Sequence, residues 1–248
     1  MTYKAKIRLF VDAPLSVGAA VPLQGDSRHY LINVLRLGLG DVVHIFNGRD
    51  GEWASEITDL TKKAMVLTVQ EQTRGQSCEP DVWLVFAPVK KARVDFIAQK
   101  ATELGVSRLM PVFTHHTSSE RVKVERLQAN AIEAAEQCER LNVPGVDAPR
   151  KLVDVLSDWP PDRAIMFCDE DLSAPNAVEA LSNLDEATKN ASWAILIGPE
   201  GGFSDDERKM IRAMDKSVPV TLGPRILRAD TAALAAISLW QSVLGDWQ

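Results

Sequence analysis

Residues 193–207 read WAILIGPEGGFSDDE, and this segment constrains the fold more than any other. An unbroken apolar run of this kind is a strand buried on both faces, as in a parallel sheet covered by helices. It breaks abruptly into Gly198-Pro199-Glu200-Gly201-Gly202. Ser204 and Glu207 then stand at the spacing of a capping box, so a helix opens at once. Loops after strand C-termini are where open α/β sheets bind ligands, and glycine there lets a ligand approach the backbone closely. A second segment repeats the arrangement. TLGPRILRADT (residues 221–231) ends a strand in Gly-Pro, passes through a loop with Arg225 and Arg228, and enters a helix that Asp230 or Thr231 can cap. Two such loops imply one shared crevice.

The composition of the first loop restricts what the crevice takes. A phosphate cradle needs a lysine and bare helix N–H groups. This loop has no lysine, and Asp205, Asp206 and Glu207 crowd the helix start. Those charges oppose an anion and tolerate a cation or a neutral ligand. With no GxGxxG and no GxxxxGK[ST], NAD and ATP are disfavoured, and with them a nucleotide-dependent oxidoreductase.

Around these loops, strands and helices alternate. Strands are expected at Val82–Ala87, Leu109–Phe113, Ala164–Cys168, Ala194–Ile197 and Val218–Leu222, and helices at Asp95–Leu104, Val124–Arg140, Ala177–Leu184, Asp205–Met214 and Asp230–Leu244. Lys100 and Glu103 are placed to pair along one helix. The pattern is an α/β domain with a mainly parallel sheet. Upstream it differs: short strands at Ile7–Val11, Asp41–Phe46, Glu52–Ile57 and Ala64–Val69 surround one helix, Asp26–Leu37, which Asp26 can cap and whose buried face would be Tyr30, Val34 and Leu37. Several short strands in so few residues suggest a small β-barrel-like module. The polar stretch Gln70–Asp81 separates the two patterns, giving domains of 1–72 and 73–248.

Charge adds a hint about partners. The 248 residues carry a net charge of −6, yet residues 90–126 hold eight Lys or Arg against four Asp or Glu. A basic segment in an acidic protein reads as a phosphate-facing strip or as a solvated face. The three cysteines, Cys78, Cys138 and Cys168, lack CxxC spacing, which fits a reducing cytoplasm and neither a disulfide framework nor a zinc site. The apolar stretch Ala232–Trp240 is too short to span a bilayer, and no signal peptide precedes Asp12.

Taken together, IGPEGGFSDDE, LGPRILRADTA, KATELGV, EAAEQCER and HYLINVLRLGLGD resemble the RsmE family, small-subunit rRNA uridine-N3 methyltransferases of the SPOUT superfamily. The resemblance covers nearly the whole chain; HHTSS, before Glu120 and Arg121, lies where relatives vary. It implies a C-terminal trefoil-knotted α/β methyltransferase domain and an N-terminal PUA-like β-barrel that grips RNA. It implies S-adenosyl-L-methionine as cofactor, 16S rRNA of the small subunit as substrate, and a cytoplasmic homodimer without metal or membrane. Cofactor residues would be Ile197, Gly198, Pro199, Glu200, Gly201, Leu222, Gly223, Ile226 and Leu227. Arg228 would be catalytic, steadying the uracil oxygen as charge develops. RNA contacts would come from Arg28, His29, Arg36, Lys90, Lys91, Arg93 and Arg121. No histidine base is evident beside the loops, leaving water or the cofactor carboxylate to take the proton. A non-catalytic RNA-binding module and a SPOUT enzyme acting on tRNA or another base are the remaining alternatives.

Overall fold

β-Branched and aliphatic residues at alternate positions build the first of two units into which the chain divides, residues up to Cys78 together with Ala135–Val143; the second holds Glu79–Ala134 and Pro144–Gln248. The computed structural model describes residues 7–119, 121–169, 171 and 173–247, with the side chain of Lys91 outside the description.

The first unit contains β1 (Arg8–Phe10), β2 (Ala20–Leu23), α1 (Gly25–His29), β3 (Val42–Phe46), β4 (Glu52–Leu60) and β5 (Met65–Arg74). Its five strands run in the order β1-β3-β4-β5-β2, with β1 parallel to β3 and the other pairs antiparallel. Leu9, Val21, Leu31, Val43, Ile45, Ile57 and Leu67 fill its core. Two expectations change here. Strand β5 runs on through Arg74 instead of stopping at Val69, because the Thr73 hydroxyl bonds Glu52 on β4 at 2.9 Å. The expected helix Asp26–Leu37 is a short α1 followed by a π-helical turn, Tyr30–Val34, in which the Leu35 N–H reaches the Tyr30 carbonyl five residues back. A five-residue step rotates the face away from the 3.6 period. Leu31 is therefore buried while Tyr30 and Val34 are exposed, and Leu37 only packs at the edge of the core. Asp26 does not cap: Gln24 is the N-cap and makes no side-chain bond.

At the heart of this unit lies a buried ion pair. Arg8 Nε donates to Glu52 Oε2 at 2.6 Å, and both side chains are almost wholly buried. The guanidinium also donates to the carbonyls of Ala135, Glu136 and Arg140 at 2.7–2.9 Å, and lies over the Phe46 ring.

The second unit begins with β6 (Val82–Phe86), α2 (Lys91–Glu103), β7 (Arg108–Phe113) and α3 (Val124–Gln137), whose last residues count with the first unit. There follow β8 (Gly145–Val146), β9 (Arg150–Lys151), α4 (Leu152–Ser157), β10 (Arg163–Cys168), α5 (Ala177–Ser182), α6 (Glu186–Lys189), β11 (Ser192–Ile197), α7 (Asp205–Arg212), β12 (Ser217–Val220) and α8 (Ala229–Val243). The sheet order is β12-β10-β11-β6-β7-β8, with β9 also on β7, and every pair is parallel. The apolar run of β11 explains its central place. Trp193, Ile195 and Ile197 enter the core shared with α2, α5 and α8, while Ala194 and Leu196 enter the one shared with α4 and α7. The register sets Cys168 opposite both Ile197 and Val220, so three strands end side by side. Whatever follows those ends must share one place.

Candidate active site

The loops after β10, β11 and β12 enclose a cleft of about 590 Å³. All nine residues expected at a cofactor line it: Ile197, Gly198, Pro199, Glu200, Gly201, Leu222, Gly223, Ile226 and Leu227. Arg228 lines it as well. The backbone N–H groups of Gly198, Leu222, Gly223, Ile226 and Leu227 make no hydrogen bond with the described residues. Loops with unspent backbone groups and apolar Ile and Leu walls suit a neutral heteroaromatic ring.

The helix beyond the glycine loop is closed to anions. Ser204 and Glu207 form the capping box, with Ser204 Oγ accepting from the Glu207 N–H and Glu207 Oε2 from the Ser204 N–H. Glu207 Oε1 also accepts from the His115 N–H at 2.8 Å. The glycines are shaped by neighbours. A Cβ on Gly198 would stand 2.6 Å from the Phe203 ring, and one on Gly201 would stand 3.2 Å from His116 Cβ. Gly201 thus has its side-chain position against His116. Gly223 needs a positive φ of 104°, which glycine adopts without strain.

Arg228 is exposed and forms the N-cap of α8 without a side-chain cap bond. Neither Asp230 nor Thr231 caps this helix, because it starts at Ala229 and both lie inside its first turn. Among the described residues, the Arg228 guanidinium has no ion-pair or hydrogen-bond partner. Asp230 is engaged elsewhere: one oxygen accepts from the Thr231 N–H at 3.0 Å, and the other lies 3.8 Å from Arg93 Nε. Arg93 also donates to Glu200 in the glycine loop.

That engagement alters the expected basic strip. Of its eight cations, Arg93, Lys100, Arg108 and Arg126 are ion-paired, with Glu200 and Asp230, Glu103, Asp147 and Asp95 respectively. Lys90 is exposed as the N-cap of α2, and Arg121 is exposed; Glu120 lies outside the described residues. In the first unit, His29 and Arg36 are exposed, His29 pairs with the Asn33 amide, and Arg28 donates to the Thr61 carbonyl at 2.5 Å. Arg36 adopts a positive φ of 59° just beyond the π-helical turn.

Several site residues carry no local sequence signal. Asp169, its side chain 0% exposed, lines the cleft after β10 and is held by Arg212 at 2.8 Å and Arg208 at 3.6 Å. These partners come from α7, some forty residues away in the chain. His116 Nδ1 lies 3.1 Å from the Gly202 carbonyl, so a histidine does accompany the glycine loop after all. Burial pushes the Cys168 thiol up, away from thiolate chemistry. Among the described residues, no group of three or more His, Cys, Asp or Glu could hold a metal ion, and no helix is long and apolar enough to cross a membrane.

Comparison with known proteins places these features in context. Residues 77–241 match an RNA methyltransferase domain family, and residues 23–70 match an RNA methyltransferase PUA domain. The chain is 30% identical to ribosomal RNA small subunit methyltransferase E of Rickettsia conorii over 93% of each chain. It is 34% identical to the Synechocystis protein of the same name, over 96% of this chain and 78% of that one. The crystal structure of the Neisseria gonorrhoeae ribosomal RNA small subunit methyltransferase E, bound to S-adenosyl methionine, superposes with a TM-score of 0.86 at 28% identity, covering 98% of this chain and 100% of that one. A Legionella pneumophila structure in complex with the same cofactor gives 0.85 at 26% identity, covering 97% and 99%.

Proposed function

This chain belongs to the ribosomal RNA small subunit methyltransferase E family, and on that premise we propose that it methylates N3 of a specific uridine in 16S rRNA with S-adenosyl-L-methionine. The observation that carries the reading is the cleft at the ends of β10, β11 and β12, with its unspent backbone groups and with Arg228 unpaired at its edge.

The residues present fit that cofactor. Backbone groups of Gly198, Leu222 and Gly223 would meet the adenine edge, and Ile197, Leu222, Ile226 and Leu227 its faces. Pro199, Glu200 and Gly201 complete the wall. When bound, the cofactor supplies an electrophilic methyl group whose carbon–sulfur bond breaks as the N3–carbon bond forms. The protein has to make N3 available. Its proton leaves to solvent, and negative charge spreads onto the uracil oxygens. Arg228, always charged and presenting several donors, meets that charge as it develops.

The RNA would be held by Arg28, His29 and Arg36 of the 1–72 PUA-like domain and by Lys90, Lys91 and Arg121 of the methyltransferase domain 73–248. Arg93, expected among these contacts, is ion-paired with Glu200 and Asp230. The second domain, we propose, carries a trefoil knot. We also propose a cytoplasmic homodimer; sedimentation at twice the 27.3 kDa chain mass supports it, and a single-chain mass at micromolar concentration ends it.

The test is Arg228→Ala. Removing one transition-state donor costs roughly 100- to 1,000-fold in rate. Cofactor affinity by calorimetry and the melting temperature should stay unchanged, because Arg228 is exposed and unpaired. Near-native turnover on small subunits would remove Arg228 from the chemistry.

A further inference from the structure

We propose that Arg93 is a positioning residue that keeps Asp230 from neutralising Arg228. The inference rests on the role given to Arg228 above and concerns how the chain keeps that guanidinium available.

Three observations carry it. Asp230 follows Arg228 by two residues in the first turn of α8, so it is the acid closest in sequence to Arg228. Its side chain is only 19% exposed, where little water competes for it. Arg93, in the first turn of α2, is ion-paired with both this carboxylate and that of Glu200. A guanidinium presents a planar fork of donors and can serve two carboxylates at once. Arg93 donates to Glu200 and stands 3.8 Å from Asp230, linking the glycine loop to the first turn of α8.

The electrostatic consequence follows from Coulomb's law. A half-buried carboxylate without a cation would draw in a neighbouring one, and Arg228, two residues away, is an unpaired cation at hand. An Arg228 folded onto Asp230 would present fewer donors and less net charge to a uracil oxygen. Arg93 prevents this by standing 3.8 Å from Asp230 as its countercharge. It also gives Glu200, which lines the cleft, a partner, so neither of the two acids is left to compete. Arg93 need not touch substrate for any of this.

The discriminating experiment is second-site rescue. Single-turnover methyl transfer to small subunits, at saturating cofactor, is measured for Arg93→Gln, Asp230→Asn and the double variant. Arg93→Gln should slow transfer by about tenfold or more, the effect of an uncompensated neighbouring charge in a half-buried site. Asp230→Asn removes that charge, so the double variant should return to within about threefold of the native rate. Arg93→Lys, keeping one cation with less reach, should fall between. A second readout uses the cofactor-free protein. Exchange of the Arg228 Nε proton with water, followed by NMR, should be fast in the native chain and slowed in Arg93→Gln. A purely structural role for Arg93 predicts the opposite pattern, with the double variant at least as slow as Arg93→Gln. That result, a native rate in Arg93→Gln, or unchanged exchange at Arg228 would overturn the proposal. A native rate in Arg228→Ala instead overturns the reading of Arg228 itself, and is recognisable because it does not depend on Arg93.

Discussion

Arg8→Ala takes the cation out of the buried pair in the N-terminal unit and leaves the carboxylate behind. In the native chain the Arg8 and Glu52 side chains are 2% and 1% exposed and 2.6 Å apart, and three of the four remaining guanidinium hydrogens go to the carbonyls of Ala135, Glu136 and Arg140. Breaking a buried pair from one side costs about 3–5 kcal/mol, because the surviving charge is uncompensated. His44 at 3.5 Å and Arg74 at 4.0 Å stay near Glu52, which favours the lower part of that range, about 3–4 kcal/mol. The pH dependence supplies a second signature. Burial alone would push the Glu52 carboxyl up, but hydrogen bonds from Arg8 and Thr73 outweigh it and hold the carboxyl below its ordinary value of 4.5. A depressed folded value means the group contributes stability that is full above the unfolded value and is lost as pH falls through the folded one. Without Arg8 the burial effect prevails and the folded value rises. The group then favours folding only at low pH and opposes it as pH increases. The gap between native and variant should be widest near about pH 7.5 and should shrink toward about pH 4. Urea unfolding at both pH values reads the difference directly. Arg8→Met with Glu52→Gln should recover only part of the loss: no buried charge remains, but three carbonyls lose their donor. A neutral-pH gap below about 1 kcal/mol, or one that does not shrink on acidification, would refute the reasoning.

Two further outcomes are expected. Gly198→Ala puts a Cβ 2.6 Å from the Phe203 ring and should cost about 1–3 kcal/mol of stability while weakening cofactor binding, read by melting and calorimetry; an unchanged melting temperature would show that Phe203 yields freely. RNA binding should weaken with salt despite the net charge of −6, the negative log–log slope gaining roughly 0.7–0.9 per phosphate neutralised; because half of the 90–126 cations are ion-paired, that segment should supply at most about four such contacts, and a flat dependence would exclude it from the RNA backbone.

What could be read from the residues is what local spacing encodes. The run from Trp193 to Ile197, the glycine loop and the Ser204–Glu207 box each depend on neighbours within a few positions, and each takes its expected form. The cleft followed because two strand-end loops of one type imply adjacent strands, and the register joining Cys168 to Ile197 and Val220 makes them so. What was not legible spans the chain or breaks a period. Arg8 meets carbonyls more than 120 residues away, Arg93 meets Glu200 across 107, and Asp169 meets Arg212 across 43. No local pattern announces such pairs. The π-helical turn defeats a 3.6-residue reading by rotating Leu31 inward and Tyr30 outward. Asp26, Asp230 and Thr231 fail as caps because their helices start earlier, at Gly25 and Ala229. His116 was missed because its place beside Gly202 depends on how the loop after β7 returns to the sheet's ends.

The central claim, methylation of uridine N3 in 16S rRNA, is tested most directly by mass spectrometry of nucleosides from 16S rRNA of cells with and without this gene. One 3-methyluridine should disappear with the gene and return with the native chain, but not with Arg228→Ala. An unchanged 3-methyluridine content, or the loss of a different modified nucleoside, would contradict it.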